Sequence, residues 1–204
     1  MSTHHDIIHC GGWTLVWSNL RENSTPLQEN MTWVTATSKS NPKYIGTLGD
    51  NKELFQVYTP LEMWNTITQN RQMDFRYEWR INYGQPKNQE FKAKLEPFSS
   101  ADYYKLKLSN YIQIVGSITA SIYLYHNYMP FSTYDKDNDN NSANCSSNYS
   151  SNPFWFNSCW SGSIFGFGVY PNTGYFNGAY WNSSDSIWGT TNGAGAGNGW
   201  FYIR

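Results

Sequence analysis

The clearest periodic pattern in this sequence is an alternation of apolar and polar residues between positions 74 and 83, and it recurs between positions 90 and 98. Successive side chains of a β-strand point to opposite faces, so each stretch has one apolar and one polar face. Sheets with one covered and one polar face are typically antiparallel, not parallel α/β cores. We therefore predict a central antiparallel sheet. The alternating apolar residues are Phe75, Tyr77, Trp79, Ile81, Phe91, Ala93 and Leu95.

Further elements are predicted around these strands. Thr59 and Pro60 precede a segment with Leu61, Trp64 and Ile67 on one helical face, so we predict a short helix with Pro60 as its first residue. Short strands are predicted at residues 13–17, 104–108, 111–116 and 199–204.

Composition narrows the class of partner. The net charge is -1 and 14% of residues are charged, which gives no electrostatic reason to expect nucleic acid. No apolar run reaches transmembrane length, and the polar start of the chain does not resemble a signal peptide. Aromatic residues make up 18% of the chain. Because Tyr and Trp offer large, rigid contact surfaces with a polar tip, this composition is typical of an extracellular recognition domain.

From residue 135 onward the sequence changes to Gly, Asn, Ser and aromatic residues without a sustained period. A lobe built from such loops needs a disulfide or a cation for stability. Of three cysteines, Cys145 and Cys159 are close enough in sequence to close a small loop. Cys10 is then left free, joined to another chain, or without its natural partner.

Three aspartates at alternate positions, Asp135, Asp137 and Asp139, begin this lobe. They form either a solvated acidic loop or an oxygen-rich site for a hard cation. An EF-hand is excluded, since its sixth and twelfth positions would be Asn140 and Ser146. With no Cys or His nearby, calcium is favoured over zinc.

The stretches HNYMPFSTYDKDNDNNSANC, NPFWFNSC and YFNGAYW, together with the opening GGWTLVWSNLREN, resemble the fibrinogen-like C-terminal domain, the family of ficolins, tachylectins and the fibrinogen chains. The resemblance implies that Asp137 and Asp139 bind Ca²⁺ through their side chains. The backbone carbonyls of Asn141 and Ala143 would complete the protein ligands. Asp135 would then supply supporting charge.

The resemblance also implies a ligand site near the second cysteine. In lectin members an N-acetyl group binds there, beside a commonly cis peptide bond that corresponds to the one between Ser158 and Cys159. Aromatic residues at Tyr149 and Tyr175 match the family. Two positions depart from it: Trp160 replaces a common His, and Phe176 replaces a small residue. These side chains would either stack on a sugar or fill the site.

We therefore predict one α+β fibrinogen-like domain over residues 1–204, with an N-terminal part (1–40), a central sheet part (41–130) and a loop-rich calcium and ligand lobe (131–204) whose last strand returns to the sheet. The predicted function is non-enzymatic, calcium-dependent, lectin-like recognition of acetylated glycans or glycoproteins, such as N-acetylated sugars or sialic acid. The alternative is a protein- or peptide-binding or assembly module. A secreted location is expected, without membrane insertion, and homo-oligomer formation stays open.

Overall fold

The structure, a computed structural model, describes residues 9–10, 12–19, 30–39, 43–45, 56–80, 89–116, 125–148, 151–159, 162–163, 168–170, 174–176, 180–181 and 198–204. Within the described chain, its main element is an antiparallel sheet whose strands follow the order β3-β4-β2-β12-β5-β6-β7, with β1 paired to β2. The strands of this sheet are β1 (His9–Cys10), β2 (Trp13–Asn19), β3 (Lys43–Ile45), β4 (Gln56–Tyr58), β5 (Met73–Arg80), β6 (Gln89–Leu95), β7 (Leu108–Val115) and β12 (Asn198–Ile203).

Among the described residues, two further antiparallel strand pairs lie outside this sheet, β9 with β10 and β8 with β11. Their bounds are β8 (Gly162–Ser163), β9 (Gly168–Tyr170), β10 (Gly174–Phe176) and β11 (Tyr180–Trp181). The helical elements of the described segments are α1 (Trp33–Thr37), α2 (Leu61–Ile67), α3 (Cys145–Asn148) and a short 3-10 helix at Ser100–Asp102. No helix among the described residues is long and apolar enough to cross a bilayer.

The C-terminal strand β12 lies inside the sheet, between β2 and β5. Phe201 is in register with Trp17 on one side and with Tyr77 on the other. The next residue of β12, Tyr202, pairs with Leu15, so Val16 is an extra residue on β2. This bulge places Val16 and Trp17 together in the main core, while Leu15 faces the opposite side of the sheet. The two ends of the chain are therefore joined by backbone hydrogen bonds.

The predicted helix and most predicted strands are confirmed. In α2, Leu61 and Trp64 are buried and Ile67 packs against the core, as their spacing predicts. Pro60 is the N-cap residue of α2 and not its first helical residue. In β5 and β6 the alternating apolar residues of the described side chains are buried, namely Phe75, Tyr77, Phe91, Ala93 and Leu95.

The predicted strand at residues 104–108 is wrong. Tyr103 and Tyr104 have φ angles of 56° and 51°, in the left-handed region, which a β-strand cannot continue through. One strand, β7, begins at Leu108 and includes the predicted stretch at residues 111–116 up to Val115. Tyr104 instead turns into the core, where its hydroxyl donates to Glu62 Oε1 at 2.7 Å. Burial, reinforced by that carboxylate, raises the pKa of Tyr104 to about 12.

The core centres on the indole of Trp17, which is fully buried. Its ring centroid lies 5.0 Å from Tyr58, Trp64 and Trp155, and 5.7 Å from Phe201. The carbonyl of Thr59 accepts hydrogen bonds from both Trp17 Nε1 at 2.7 Å and Trp64 Nε1 at 2.9 Å. The sheet, helix α2 and the C-terminal half of the chain therefore meet at one aromatic cluster.

The opposite face of the sheet carries a cationic and aromatic layer. The guanidinium of Arg204 lies 4.8 Å from the Trp13 ring centroid, and that of Arg76 lies 5.1 Å from Tyr202. Arg76 also pairs with Glu78 at 2.7 Å. At the edge of this layer, Asp74 binds Lys94, and its Oδ2 lies 3.1 Å from Arg204. These cations hold the pKa of Asp74 below its ordinary value, the hydrogen bond from Lys94 contributing most.

Replacing Trp17 with Ala is expected to lower the free energy of unfolding by about 3–5 kcal/mol, because it empties the centre of the aromatic cluster and removes the donor to Thr59. Equilibrium urea denaturation measures this loss. Val34, which is 63% exposed, supplies the control. Val34→Ala is expected to change stability by less than about 0.5 kcal/mol. A Trp17→Ala loss no larger than the control would contradict the central role of this indole.

Asp74→Asn is expected to lower stability by about 0.5–1 kcal/mol at neutral pH, the range for exposed ion pairs. Because the folded pKa of Asp74 lies below the unfolded value, its carboxylate contributes stability above about pH 4. That contribution is lost as the pH falls through the folded pKa. Denaturation curves at a series of pH values should show the gap between wild type and variant closing in acid and narrowing at high salt. A gap that persists in acid would show that the charge is not its cause.

Candidate functional site

The acidic loop at residues 137–143 folds as a succession of side-chain-closed turns. Asp137 Oδ1 accepts the backbone N–H of Asp139 at 3.2 Å, and Asp139 Oδ1 accepts that of Asn141 at 2.8 Å. Asn141 Oδ1 in turn accepts the N–H of Ala143 at 3.0 Å. Asp and Asn side chains readily bond the backbone two residues further on, so acidic or amide residues at alternate positions produce this winding directly.

Amide side chains fasten both ends of the loop to the core-facing chain. Asn138 Nδ2 donates to the carbonyl of Phe131 at 2.8 Å. Asn144 Nδ2 donates to the carbonyl of Thr133 at 3.0 Å, while its Oδ1 accepts the N–H of Ser147 at 2.9 Å, at the start of α3. The loop is therefore held by hydrogen bonds more than by apolar packing, consistent with its composition.

Two carboxylates of the loop face each other. Asp137 lies within hydrogen-bonding reach of Asp139. Partial burial raises the pKa of Asp139, and the like charge of Asp137 raises it further. The N–H groups of Asn141 and Cys145, which bond the two oxygens of Asp139, oppose that rise. The remaining repulsion is the kind that a bound cation relieves.

Asp135, the first aspartate of the pattern, has a different task. Its Oδ1 accepts the N–H of Trp33 at 2.8 Å and the hydroxyl of Thr133 at 2.7 Å. Trp33 is the first residue of α1, so this carboxylate satisfies a helix N–H that has no partner within the helix. Asp135 ties the loop to the N-terminal part of the chain.

The donor set suits a hard cation. The residues predicted as ligands, Asp137, Asp139, Asn141 and Ala143, would offer two carboxylates and two backbone carbonyls, which are the oxygen ligands that Ca²⁺ accepts. Within the described residues, no group of three or more His, Cys, Asp and Glu side chains gathers as a metal site. The predicted set has two such side chains, so its fit rests on the facing pair Asp137 and Asp139 and on the loop that winds around them.

A tight turn at residues 157–159, the 157–159 turn, lies beside the loop. The N–H of Asn157 donates to the carbonyl of Cys159 at 3.0 Å, and Ser158 is exposed. The expectation of a cis bond between Ser158 and Cys159 is wrong, because the described residues contain no cis peptide bond. The chain reverses through the left-handed conformation of Cys159, at φ 59°, while the peptide keeps the lower-energy trans form.

The loop and the 157–159 turn are joined by side chains and by a disulfide. Asn141 Nδ2 donates to Ser158 Oγ at 3.1 Å, and Asn140 Nδ2 donates to Asn157 Oδ1 at 3.0 Å. The bond between Cys145 and Cys159 is present, with the two Cα atoms 5.1 Å apart, so the predicted disulfide is confirmed. A loop of this length contributes roughly 3 kcal/mol in the chain-entropy account.

Several predicted ligand-site residues fall outside this geometry. Tyr149 and Trp160 lie outside the described residues. For Tyr175 and Phe176 the structure describes the strand β10, in which Tyr175 is in register with Val169, and not the side chains. Their roles stay predictions.

Sequence reasoning did not identify three residues that hold the 157–159 turn. The Tyr125 hydroxyl donates to the carbonyl of Ser158 at 2.9 Å, and Asn157 Nδ2 donates to the carbonyl of Tyr125 at 3.1 Å. Asn140 adds the bond to Asn157 given above. These partners are 17 to 33 residues apart in sequence, and no local period signals them. The Asn-rich composition of this part of the chain is the sequence signal that could have indicated these hydrogen bonds.

His126, which follows Tyr125, is fully buried, with its Nδ1 2.7 Å from the carbonyl of Trp155.

Known sequences and structures similar to this chain agree with one another. A model of the C-terminal globular domain of the fibrinogen beta and gamma chains matches residues 11–194. The chain is 34% identical over 88 residues to fibrinogen-like protein A of Apostichopus parvimensis, covering 41% of this chain and 30% of that protein. It is 30% identical over 128 residues to fibrinogen-like protein 1 of Mus musculus, covering 57% of this chain and 36% of that protein. The chain therefore spans about a third of the length of these relatives.

Solved structures show the same fold. The fibrinogen-like globe domain of human ANGPTL6 superimposes with a TM-score of 0.66 at 21% identity, covering 96% of this chain and 79% of that one. Lamprey fibrin D-dimer, complexed with the peptide ligand Gly-His-Arg-Pro-amide, gives a TM-score of 0.65 at 16% identity, covering 97% and 63%. The predicted α+β fold, with a central antiparallel sheet and short helices, is confirmed.

Proposed function

The chain belongs to the family of fibrinogen C-terminal globular domains, and on that premise we propose that it is a protein- or peptide-binding module. Its ligand would bind at the exposed 157–159 turn, beside a Ca²⁺ ion held by Asp137 and Asp139. One observation carries the proposal: the loop with the two facing carboxylates is bonded directly to that turn, through Asn141 and through the disulfide.

The chemistry of the proposed site divides between its parts. A bound Ca²⁺ would neutralise the facing carboxylates and hold the loop in one arrangement. The disulfide and the Tyr125 hydroxyl keep the 157–159 turn in place. The exposed Ser158 then presents polar groups to a ligand, and Trp160 and Phe176, which the sequence predicts as ligand-site residues, would supply apolar contact. All of these groups are assigned roles in holding the site or contacting a ligand, so the proposed function is binding and not bond cleavage.

Two findings favour a peptide over an acetylated glycan. The described bond between Ser158 and Cys159 is trans, so the cis arrangement expected for an N-acetyl site is not present. Trp160 and Phe176 also depart from the lectin pattern at positions that would shape that site. The peptide ligand of the lamprey fibrin D-dimer supports the proposal by analogy of fold. An extracellular location is proposed with it, because disulfides persist in oxidising environments.

Calcium is expected to stabilise the folded chain. At a concentration about 100 times its Kd it would add about 2.7 kcal/mol and raise the Tm by several degrees. Asp137→Asn and Asp139→Asn should each abolish this rise in a thermal melt with calcium and with EDTA. Asp135→Asn is the matched control, since it removes the same charge two residues before the loop and outside the predicted ligand set. An unchanged Tm in the wild type would instead support a solvated acidic loop.

Binding itself is tested with immobilised short peptides that have free amino termini, Gly-His-Arg-Pro-amide among them, and with N-acetylglucosamine and sialic acid by saturation-transfer NMR. We expect retention on at least one peptide in calcium, weakened by EDTA or by Trp160→Ala and not displaced by excess N-acetyl sugar. Binding of sugar alone would support the lectin-like alternative against this proposal. Binding of neither class would contradict both.

A further inference from the structure

Asn141 makes three hydrogen bonds that fix both its backbone and its side chain. Its N–H donates to Asp139 Oδ1 at 2.8 Å, its Oδ1 accepts the N–H of Ala143 at 3.0 Å, and its Nδ2 donates to Ser158 Oγ at 3.1 Å. One end of the side-chain amide therefore belongs to the acidic loop, and the other end reaches the 157–159 turn. Among the described contacts, the hydrogen bond from Asn141 to Ser158 directly joins a side chain of the predicted ion-binding set to the turn.

The 157–159 turn is held on several sides. The hydroxyl of Tyr125 bonds the carbonyl of Ser158 at 2.9 Å, and the N–H of Asn140 donates to the carbonyl of Asn157 at 3.0 Å. The disulfide ties Cys159 to Cys145. These bonds hold the backbone of the turn, and the bond from Asn141 adds a contact to the exposed hydroxyl of Ser158, the middle residue of the turn. The direction of that hydroxyl therefore depends on the amide of Asn141.

We infer that Asn141 is a positioning residue that makes the arrangement of Ser158 depend on calcium. This inference rests on the proposed function, because it requires the ion to occupy the loop. The backbone carbonyl of Asn141 belongs to the predicted ligand set, so the ion would hold Asn141 at the backbone while its side chain holds Ser158. An intramolecular hydrogen bond contributes only modestly to stability because water competes for its groups, and holding its donor in position beforehand lowers the ordering cost of forming it. Fixing the amide of Asn141 supplies that pre-positioning.

Another predicted ligand, Asp139, is connected to the turn by a second route that does not depend on Asn141. Asp139 Oδ2 accepts the N–H of Cys145 at 2.9 Å, and Cys145 is bonded to Cys159. This route is covalent after its first step, and the covalent link between Cys145 and Cys159 is retained when the ion is removed. The hydrogen bond from Asn141 is therefore the link expected to strengthen and weaken with calcium, while the disulfide keeps the turn near the loop in both states.

Ser158→Ala tests the inference, because it removes the acceptor and leaves the turns closed by Asp137, Asp139 and Asn141 intact. The reporter is amide hydrogen exchange by NMR, with calcium and with EDTA. The N–H of Asn157 bonds the carbonyl of Cys159, so it exchanges when the turn opens. In the wild type we expect calcium to slow its exchange about fivefold. In Ser158→Ala the ratio should fall to near one.

Controls separate this coupling from a purely structural role. Ser158→Thr keeps a hydroxyl and should restore the ratio. Asn140→Ala loosens the same turn through Asn157, so it should speed exchange in both conditions and leave the ratio in place. The N–H of Cys145, which bonds Asp139, reports the loop and should remain calcium-sensitive in every variant.

Two results would overturn the inference while leaving the proposed function standing. One is calcium binding by the wild type, seen in a titration with calcium alone, without slower exchange at Asn157. The other is a calcium ratio in Ser158→Ala equal to that of the wild type. Absence of calcium binding by the wild type would overturn the metal site and this inference together, and the titration distinguishes that failure from the first two.

Discussion

The contact between Trp17 and Trp155 is the interaction on which the rest of this structure depends. Their rings stack at 5.0 Å, fully buried. Trp17 belongs to β2 near the start of the chain, whereas Trp155 lies just ahead of the 157–159 turn. Because Trp155 Nε1 also donates to the carbonyl of Tyr104 at 2.7 Å, the ring is fixed in position as well as buried. A loop-rich lobe thereby acquires a rigid base within the core of the sheet.

This base explains how a polar lobe holds a defined site. The chain leaves the buried residues Phe154, Trp155 and Phe156 and turns at once through residues 157–159, so that turn begins from a fixed point. The acidic loop is bonded to this turn through Asn140 and Asn141, and its own Asp and Asn side chains organise it. The lobe therefore combines a rigid aromatic anchor with a loop whose geometry follows from polar contacts. A bound ion would strengthen those polar contacts.

The similarity to fibrinogen-like domains agrees with this division. The shared fold fixes where the lobe lies relative to the sheet, while the chemistry at the turn belongs to this chain. Here the turn has a trans bond between Ser158 and Cys159, and Trp160 follows it in sequence. These features direct the proposed function toward proteins or peptides, although the family resemblance by itself was equally compatible with acetylated glycans.

Local patterns in the sequence determined the elements of the fold. Alternation determined β5 and β6, the spacing of Leu61, Trp64 and Ile67 determined α2, and the alternate aspartates led to the loop that their side chains close. The resemblance added the family. These features are readable because each depends on residues that are neighbours in the chain.

The tertiary structure decided what depends on distant residues. The bond from Tyr125 to Ser158 and the attachment of Asp135 to Trp33 join groups that are 33 or more positions apart in the sequence. The trans bond before Cys159 was likewise not signalled by the local sequence. The left-handed Tyr103 and Tyr104 lie at the start of the predicted strand at residues 104–108, where Tyr104 bonds Glu62 across 42 residues. Such choices depend on which groups the fold brings together, since burial and hydrogen bonding there outweigh the local preference of the chain.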